Sequence, residues 1–197
     1  GKDIARLTTT ANETDPIKRK EIKNRVARYD NLQLAKKVGL NSAYGALGSQ
    51  YFRFYDLRMA LGVTTAGQLS IRWIEGKIND FMNKILETEN DYVIASDTDS
   101  IYLNLGPLVD KFIQSNKPVE TVISFMDKVC EDKIQPYIDR SYSELATYVN
   151  AYAQKMQMKR ETLANKGVWT AKKRYILNVY NNEGVQYKEP EMKVMGL

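Results

Sequence analysis

The spacing of apolar residues predicts a long helix near the start of the chain. Asp15 can cap a helix that begins at Pro16, a residue type suited to the first helical position. The helical pattern continues to about Tyr44, and Gly45 and Gly48 then predict a break. The apolar residues that recur at helical spacing are Ile22, Val26, Tyr29, Leu34 and Val38.

Two later regions also carry a helical pattern. Asp56 is predicted to cap a second helix, whose apolar stripe we expect to pack on a sheet. A third helical region from about Val119 to Val149 should be kinked or divided at Pro136, because proline lacks the backbone donor. The stripe of the second helix comprises Ile74, Ile78, Phe81, Met82 and Ile85. The positions expected to be buried in the third region are Val122, Phe125, Met126, Val129, Ile134, Ile138 and Leu145.

Shorter β-favouring runs lie between and after these helices. Residues 92–95 and 101–103 flank five short polar residues, which predicts a β-hairpin with a tight turn. Alternation at 156–159 and a β-rich run at 175–180 predict further strands, with a hairpin loop at 181–184. Helices and antiparallel hairpins in one chain make the predicted fold class α+β.

Composition narrows the class of protein. The 197 residues support one domain or slightly more, and 43% apolar residues suffice for a packed core. No apolar run reaches the length of a membrane span, so we expect a cytoplasmic protein. The only cysteine is Cys130 and there is no histidine, which excludes an internal disulfide and a histidine general base. Because the chain starts at Gly1 rather than methionine, we expect it to be a fragment.

Positive charge is concentrated in two blocks. The net charge is +5, yet residues 16–37 and residues 155–175 each carry an excess of six positive charges, so the remainder is acidic. Two basic blocks on either side of an acidic middle region are typical of a protein that binds a polyanion with its basic residues and coordinates metal ions with its carboxylates. The alternative is two solvated charged faces.

Asp97 and Asp99 are the candidate metal ligands. Side chains two residues apart in an extended chain point to the same side, so both carboxylates should face one cation. Magnesium accepts such hard oxygen ligands together with substrate phosphates and water. The alternative is that these short polar residues only form a good turn.

A second candidate set lies on the first helix, and a third near residue 173. Lys37, Asn41 and Tyr44 are spaced to share one helical face, which suits a triphosphate and a base pair. Alternatively, Tyr44 is core and Lys37 is solvated. Residues 172–175 are expected to begin a strand from which a lysine reaches a nucleic-acid phosphate, or else to form a charged edge that prevents aggregation.

In their order along the chain and in their residues, these segments resemble motifs of the family B (polymerase-alpha-like) DNA polymerases. Residues 37–45 match a Lys-x-x-x-Asn-Ser-x-Tyr-Gly fingers motif, residues 97–100 an Asp-Thr-Asp-Ser palm motif, and residues 172–175 a Lys-Lys-x-Tyr motif. Residues 41–48 and 52–58 look most like the replicative enzymes of tailed phages. The resemblance covers nearly the whole chain.

The resemblance implies a fold, an activity and a location. The fold would be a palm-type antiparallel sheet packed by helices, with a long protruding fingers helix. Residues 1–48 would be a partial fingers (tip loop and second fingers helix) and 49–197 a partial palm. The activity would be template-directed addition of deoxynucleotides to a primer 3′ end by two-metal-ion phosphoryl transfer with Mg²⁺ or Mn²⁺. The location would be the cytoplasm of a phage-infected bacterial cell.

The same resemblance assigns roles to individual residues. Asp99 would be the principal metal ligand, and Asp97 more a neighbour of the metals than a full ligand. Lys173 would act at the primer end. Ala95 and Ser96 replace the Tyr-Gly usual before this motif, a departure that concerns positioning of the primer. The nucleotide-binding residues would be Lys37, Asn41 and Tyr44, and the DNA-binding residues Gly45, Lys172, Lys173, Arg174 and Tyr175.

Some segments of the family are missing from these 197 residues. There is no Asp-x-x-Ser-Leu-Tyr-Pro segment, which would carry a second essential aspartate, and no room for an exonuclease domain, first fingers helix or thumb. We therefore expect the chain alone to be inactive and to self-associate through unpaired strands and an uncovered apolar stripe. Its partners would be primer–template DNA, deoxynucleoside triphosphates and the remaining polymerase segments. The rival hypotheses are a non-catalytic nucleic-acid-binding module, a subunit of a split polymerase, and an unrelated magnesium-dependent phosphotransferase.

Overall fold

The computed structural model describes residues 15–113 and 117–196. The polar, turn-rich start that the sequence predicts before Asp15 lies outside the described residues. The chain divides into two compact units, one ending at Thr65 and the other beginning at Ala66.

The first unit is built on a helix of 32 residues, α1 (Pro16–Leu47). Its start is as predicted, because the Asp15 carboxylate accepts a hydrogen bond of 2.9 Å from the backbone N–H of Ile17. The break expected between Gly45 and Gly48 is confirmed, although the helix continues through Gly45 and ends at Leu47, three residues later than expected, with Gly48 as its cap. A single glycine costs a helix only about 1 kcal/mol, which the flanking helical residues offset. No residue of α1 is buried.

A second helix, α2 (Leu57–Leu86), begins in the first unit and continues into the second. The predicted cap is confirmed, since the Asp56 carboxylate accepts a hydrogen bond of 2.9 Å from the backbone N–H of Arg58. In the first unit α2 contributes one buried residue, Ala60.

The second unit has a mainly helical core. After α2 come α3 (Gly106–Phe112), α4 (Val119–Val129), a π-helical turn at 130–134, and α5 (Gln135–Tyr148). The division expected at Pro136 is confirmed, because proline lies at the start of α5 and cannot donate to the preceding turn.

Burial along these helices agrees with most of the predicted positions. Phe125 is an error, since it is 39% exposed, whereas Ile123 and Met126 occupy the buried face of α4. Phe125 lies two residues from Ile123, which places it on the other side of the helix. The predicted positions that are buried are Met126, Ile134, Ile138 and Leu145, and those packed partly buried against the core are Val122 and Val129.

The apolar stripe of α2 is confirmed as buried, and residues of the stripe and next to it contact α5. Ile74, Ile78 and Met82 are almost fully buried. The indole N–H of Trp73 donates to the backbone carbonyl of Ser141 at 2.9 Å. Further contacts join the Phe81 and Tyr137 rings, with centroids 4.7 Å apart, and the Lys77 ammonium and Glu144 carboxylate, 2.6 Å apart. These contacts add α5 as a partner, and the core that contains the stripe also includes the strand residues Ile101, Leu103 and Leu163.

In the part of the chain that the structure describes, five strands form two antiparallel sheets, and this confirms the α+β class. The first sheet is the hairpin of β1 (Val93–Asp97) and β2 (Ser100–Leu103). The second contains β3 (Thr162–Ala171), β4 (Arg174–Asn182) and β5 (Val185–Met195) in that order. The hairpin loop expected at 181–184 is narrower than predicted, because only Glu183 and Gly184 form the turn, both with positive φ.

The strand expected at residues 156–159 is absent, and this segment is irregular. Side chains provide the hydrogen bonds that a neighbouring strand would otherwise supply. The Gln154 amide bonds the backbone of Met156, and the Gln135 amide donates to the carbonyl of Met158 at 2.7 Å. The next strand therefore starts only at Thr162.

The observed packing removes part of the argument for self-association. Ile74 and Ile78 are covered within the second unit, so the expectation that this stripe loses its cover is wrong there. Self-association stays a prediction that rests on the strand edges alone. Across 15–113 and 117–196, no helix combines the length and apolarity needed to cross a membrane.

Candidate functional site

Asp97 and Asp99 lie at the tip of the first hairpin, but not on an extended chain. Asp97 ends β1, Thr98 has a φ of +55°, and the backbone N–H of Asp99 donates to the Asp97 carbonyl at 2.6 Å. The left-handed residue between them reverses the chain. The argument that both side chains point to one side because the chain is extended is therefore wrong. Asp99 is exposed in the turn and Asp97 is half-buried.

The two lysines also form a turn. Lys172 and Lys173 connect β3 to β4, and Lys173 has a φ of +65°. The expectation that these lysines begin a strand is wrong, since the strand starts only at Arg174. We call Thr98–Asp99 and Lys172–Lys173 the paired turns. The two turns lie close together, as shown by the distance of 4.0 Å between the Lys173 ammonium and the carboxylate of Asp97, the residue before the first turn.

The Asp97 carboxylate has two neighbours that fix its environment. The Thr98 hydroxyl donates a hydrogen bond of 3.0 Å to it, and the Lys173 ammonium is the second neighbour. The Asp97 side chain is 33% exposed and the Lys173 side chain is 66% exposed. Charges so accessible to water interact weakly in the absence of a ligand. A polyanionic ligand could therefore compete for Lys173.

An aromatic layer lies beneath the paired turns. Tyr102 of β2 contacts Trp169 of β3 edge-on, with centroids 5.3 Å apart, and lies 5.4 Å from Tyr175 of β4. These rings, Asp97 and the two lysines help line a cavity of about 250 Å³. Burial is the main cause that raises the pKa of Tyr102 to about 12, and Tyr175 and the Asp97 charge add to it. Tyr102 is thus neutral at physiological pH, and the charges here belong to the aspartates and the basic residues.

Sequence reasoning missed Tyr102, Trp169 and also Gly196. Gly196 has a φ of +72°, and a side chain on it would overlap the backbone carbonyl of Lys173. It therefore allows the backbone at Gly196 to lie against the lysine turn. Aromatic residues three positions from each turn were a signal in the sequence, but the pattern alone does not bring them together.

The candidate nucleotide-binding set lies in the first unit. Lys37, Asn41 and Tyr44 share one face of a continuous helix, and all three are exposed. The Tyr44 hydroxyl donates to the Ala60 carbonyl at 3.3 Å, which holds a ring that is 39% exposed. Gly45, on the same helix, has open space where a side chain would stand. The structure thus brings these residues together in one unit, and Asp97 and Lys173 together in the other.

Part of the second basic block serves the fold rather than the surface. Arg160 forms an ion pair with Asp127 of α4 and donates a hydrogen bond of 2.8 Å to the buried Asn181. Asn181 also accepts from the backbone N–H of Gly184 at 3.1 Å. The Lys172–Lys173 turn and Arg174 are exposed. Apart from Arg160, the basic residues of this block are exposed, so most of the predicted polyanion-binding charge is directed to solvent.

The donor chemistry at the first hairpin fits a divalent cation of the magnesium class. Asp97 and Asp99 supply hard carboxylate oxygens in one short turn, and such sites often add only phosphate and water oxygens. In the ranges that the structure describes, no group of three or more His, Cys, Asp or Glu residues could hold a metal ion.

Comparison with known proteins identifies similar sequences. Residues 12–197 match the family model described as DNA polymerase family B. The chain is 42% identical over 175 residues to the DNA-directed DNA polymerase of Escherichia phage RB69, and equally so to that of Enterobacteria phage T4. Each match covers 84% of this chain, but 19% of the first relative and 20% of the second. The DNA polymerase delta catalytic subunit of Drosophila melanogaster is 35% identical over 95 residues, or 48% of this chain and 8% of that relative. The chain thus spans about a fifth of the length of the two phage relatives.

Proposed function

Because the chain belongs to DNA polymerase family B, we propose that it supplies part of the fingers and palm of a polymerase that extends a DNA primer on a template. The observation that carries this proposal is the approach of Lys173 to Asp97. Two motifs far apart in sequence thereby contribute opposite charges to one place, as expected where a primer phosphate and a metal-bound triphosphate meet.

In the second unit we assign the reaction to the paired turns. Asp99, with Asp97 beside it, would hold Mg²⁺ or Mn²⁺, whose chemistry when bound is that of two-metal-ion phosphoryl transfer. Asp99 is the principal ligand in this proposal because residues 97–100 resemble the palm metal motif of the family, and its exposed position in the turn is compatible with that role. Lys173 would contact the primer end as a point charge, and Lys172, Arg174 and Tyr175 would support the DNA there.

In the first unit we assign nucleotide binding to one face of α1. Lys37 would contact the triphosphate as a point charge, and Asn41 would donate a hydrogen bond to it. The Tyr44 ring would pack beside the nascent base pair, in a position that its hydrogen bond to Ala60 supports. Gly45 has the open space that a DNA backbone would need for close approach.

The division of the molecule remains part of this proposal. We assign 1–48 to the fingers and 49–197 to the palm. The substrates would be primer–template DNA and deoxynucleoside triphosphates, and the partners the remaining segments of a polymerase. These 197 residues alone should be inactive, because they contain no Asp-x-x-Ser-Leu-Tyr-Pro segment to complete the carboxylate set.

Substitution of Asp99 tests the proposal in a joined enzyme. By this term we mean the chain linked to the segments of the phage T4 relative that lie outside the match. Asp99→Ala should abolish primer extension, because it removes the principal metal ligand. The matched control is Asp80→Ala, which removes an exposed carboxylate of α2 in the same unit. An Asp99→Ala enzyme within about threefold of the parent rate would contradict the assignment, given that such groups contribute ~10²-fold or more.

The unlinked chain provides the complementary test. Purified chain should bind primer–template DNA weakly and should not extend the primer. Template-directed extension by the chain alone would refute the proposed division of labour. DNA binding combined with an active Asp99→Ala joined enzyme would instead favour a non-catalytic nucleic-acid-binding module, which the exposed basic residues of α1 would also suit.

A further inference from the structure

We propose that Trp169 is a positioning residue, whose indole ring on Gly167 holds the Lys172–Lys173 turn beside Asp97. This inference rests on the proposed function, which gives Lys173 its role at the primer end. Trp169 belongs to none of the motifs that define the candidate site. Its role is inferred from its contacts in the structure.

Gly167 leaves the space that the indole ring occupies. A Cβ atom at Gly167 would lie 2.7 Å from the Trp169 ring and 2.7 Å from the Leu177 side chain. Such a distance is too short for any stable contact, so a larger residue would have to displace the ring. Glycine is therefore required at this position by close approach.

From this position the indole connects the two sheets. Trp169 pairs with Tyr175 in the β3–β4 ladder, and their ring centroids are 6.4 Å apart. On the other side its ring contacts Tyr102, which pairs with Ala95 on β1, the strand that ends at Asp97. Trp169 thus contacts an aromatic residue from the strand next to each of the paired turns.

The backbone next to the lysine turn needs such support. The register of the β3–β4 ladder shifts between Trp169 and Ala171, so the strand bulges immediately before the turn. Beyond the bulge, the positive φ of Lys173 is an unfavourable conformation for a residue with a side chain. Gly196 lies against the Lys173 carbonyl, and Trp169 and Tyr175 line the same cavity as Lys173, so in this proposal both sets of neighbours hold the conformation in place.

The role depends on ring shape rather than on a hydrogen bond. The indole N–H of Trp169 is buried, and the described part of the chain offers it no acceptor. Trp169→Phe therefore loses no hydrogen bond and keeps an aromatic face. Trp169→Leu removes that face, and Gly167→Ala displaces the ring without removing it.

A double-mutant cycle in the joined enzyme tests the proposal. Trp169→Leu should lower the rate at saturating nucleotide by about tenfold, a typical effect for coupled neighbours. Its KM for nucleotide should not change, because Lys173 is proposed to contact the primer end rather than the nucleotide. Trp169→Phe should stay within about threefold of the parent rate. In a Lys173→Ala background, Trp169→Leu should cause no further loss. A full additional tenfold loss there would overturn the proposal.

Gly167→Ala keeps the test decisive if Trp169→Leu does not fold. It should slow extension about as much as Trp169→Leu, and it too should have no effect in the Lys173→Ala background. Equal losses with and without Lys173 would show a merely structural role. Folding is checked by circular dichroism and the unfolding temperature of each variant of the 197-residue chain.

Trp73 provides the matched control, since it is the other tryptophan of the chain and packs on α5. The effect of Trp73→Leu should be the same with and without Lys173. If Lys173→Ala alone leaves extension unchanged, the proposed role of Lys173 fails, and the positioning role fails with it. If Lys173→Ala slows extension and Trp169→Leu still multiplies the loss, only the positioning role fails.

Discussion

The two candidate binding regions owe their geometry to different causes. On α1, Lys37, Asn41 and Tyr44 share a face because a regular helix places residues at this spacing together. At the paired turns, Asp97 and Lys173 meet only through unusual backbone angles, a bulge and contacts between two sheets. The first arrangement is local in sequence and the second depends on tertiary packing. Damage to the core should therefore affect the two regions unequally.

The largest stability difference should be between one isoleucine in the core and another on α1. Ile78→Ala should destabilise the second unit by about 2–5 kcal/mol, because Ile78 is 1% exposed and the change leaves a cavity. Ile17→Ala, at a residue that is 73% exposed, should change stability by less than about 0.5 kcal/mol. Urea unfolding followed by circular dichroism measures both values. Equal losses would remove the contrast between the two regions.

Nucleotide dependence should be sensitive to a single lysine of α1. Lys37→Ala in the joined enzyme should raise the nucleotide concentration for half-maximal rate by about tenfold or more, because a charge-assisted phosphate contact contributes about 1.5–3 kcal/mol. The control is Lys36→Ala, which removes the same charge from an adjacent helical position that faces about 100° away. Steady-state extension rates over a nucleotide titration supply the comparison. If Lys36→Ala has the same effect as Lys37→Ala, the helix contributes only general charge.

The parts of the fold that the sequence predicted correctly depend on local signals. The N-termini of α1 and α2 were predicted because Asp15 and Asp56 cap them through hydrogen bonds to backbone N–H groups two residues later. The hairpin of β1 and β2 follows from two β-favouring runs with short polar residues between them. The shared face of Lys37, Asn41 and Tyr44 follows from helical periodicity, although their role in nucleotide binding stays a prediction.

The errors arise where distant contacts determine the local structure. Residues 156–159 have a strand pattern, but Gln135 of α5 bonds the carbonyl of Met158 and no ladder forms there. The strand β3 contains small and polar residues such as Ala164, Asn165 and Gly167, which no strand pattern reveals. The turn at Lys172–Lys173 needs a left-handed lysine, which neighbouring packing stabilises and the sequence does not indicate.

The smallest expected effect concerns Cys130, in the core of the second unit. Burial is the main cause that raises the pKa of its thiol from 9.0 to about 11, while Arg160 opposes the shift and Asp127 adds to it. Folding thus favours the neutral thiol. The stabilisation that comes from burying the neutral Cys130 thiol is fully present below about pH 9, which is the pKa of the thiol in the unfolded chain. It is lost as the pH rises through about 11, which is the pKa in the folded chain.

Replacement of this thiol should therefore change how stability depends on alkaline pH. The parent chain should lose on the order of 1–2 kcal/mol more unfolding free energy between pH 9 and pH 11 than Cys130→Ala does. The difference between the two proteins isolates the thiol, because the buried tyrosines with raised pKa values are common to both. Urea unfolding at each pH provides the two curves. Parallel curves would mean that Cys130 ionises as readily in the folded core as in the unfolded chain. The contrast between a tightly packed second unit and an exposed α1 would then be weaker at this position.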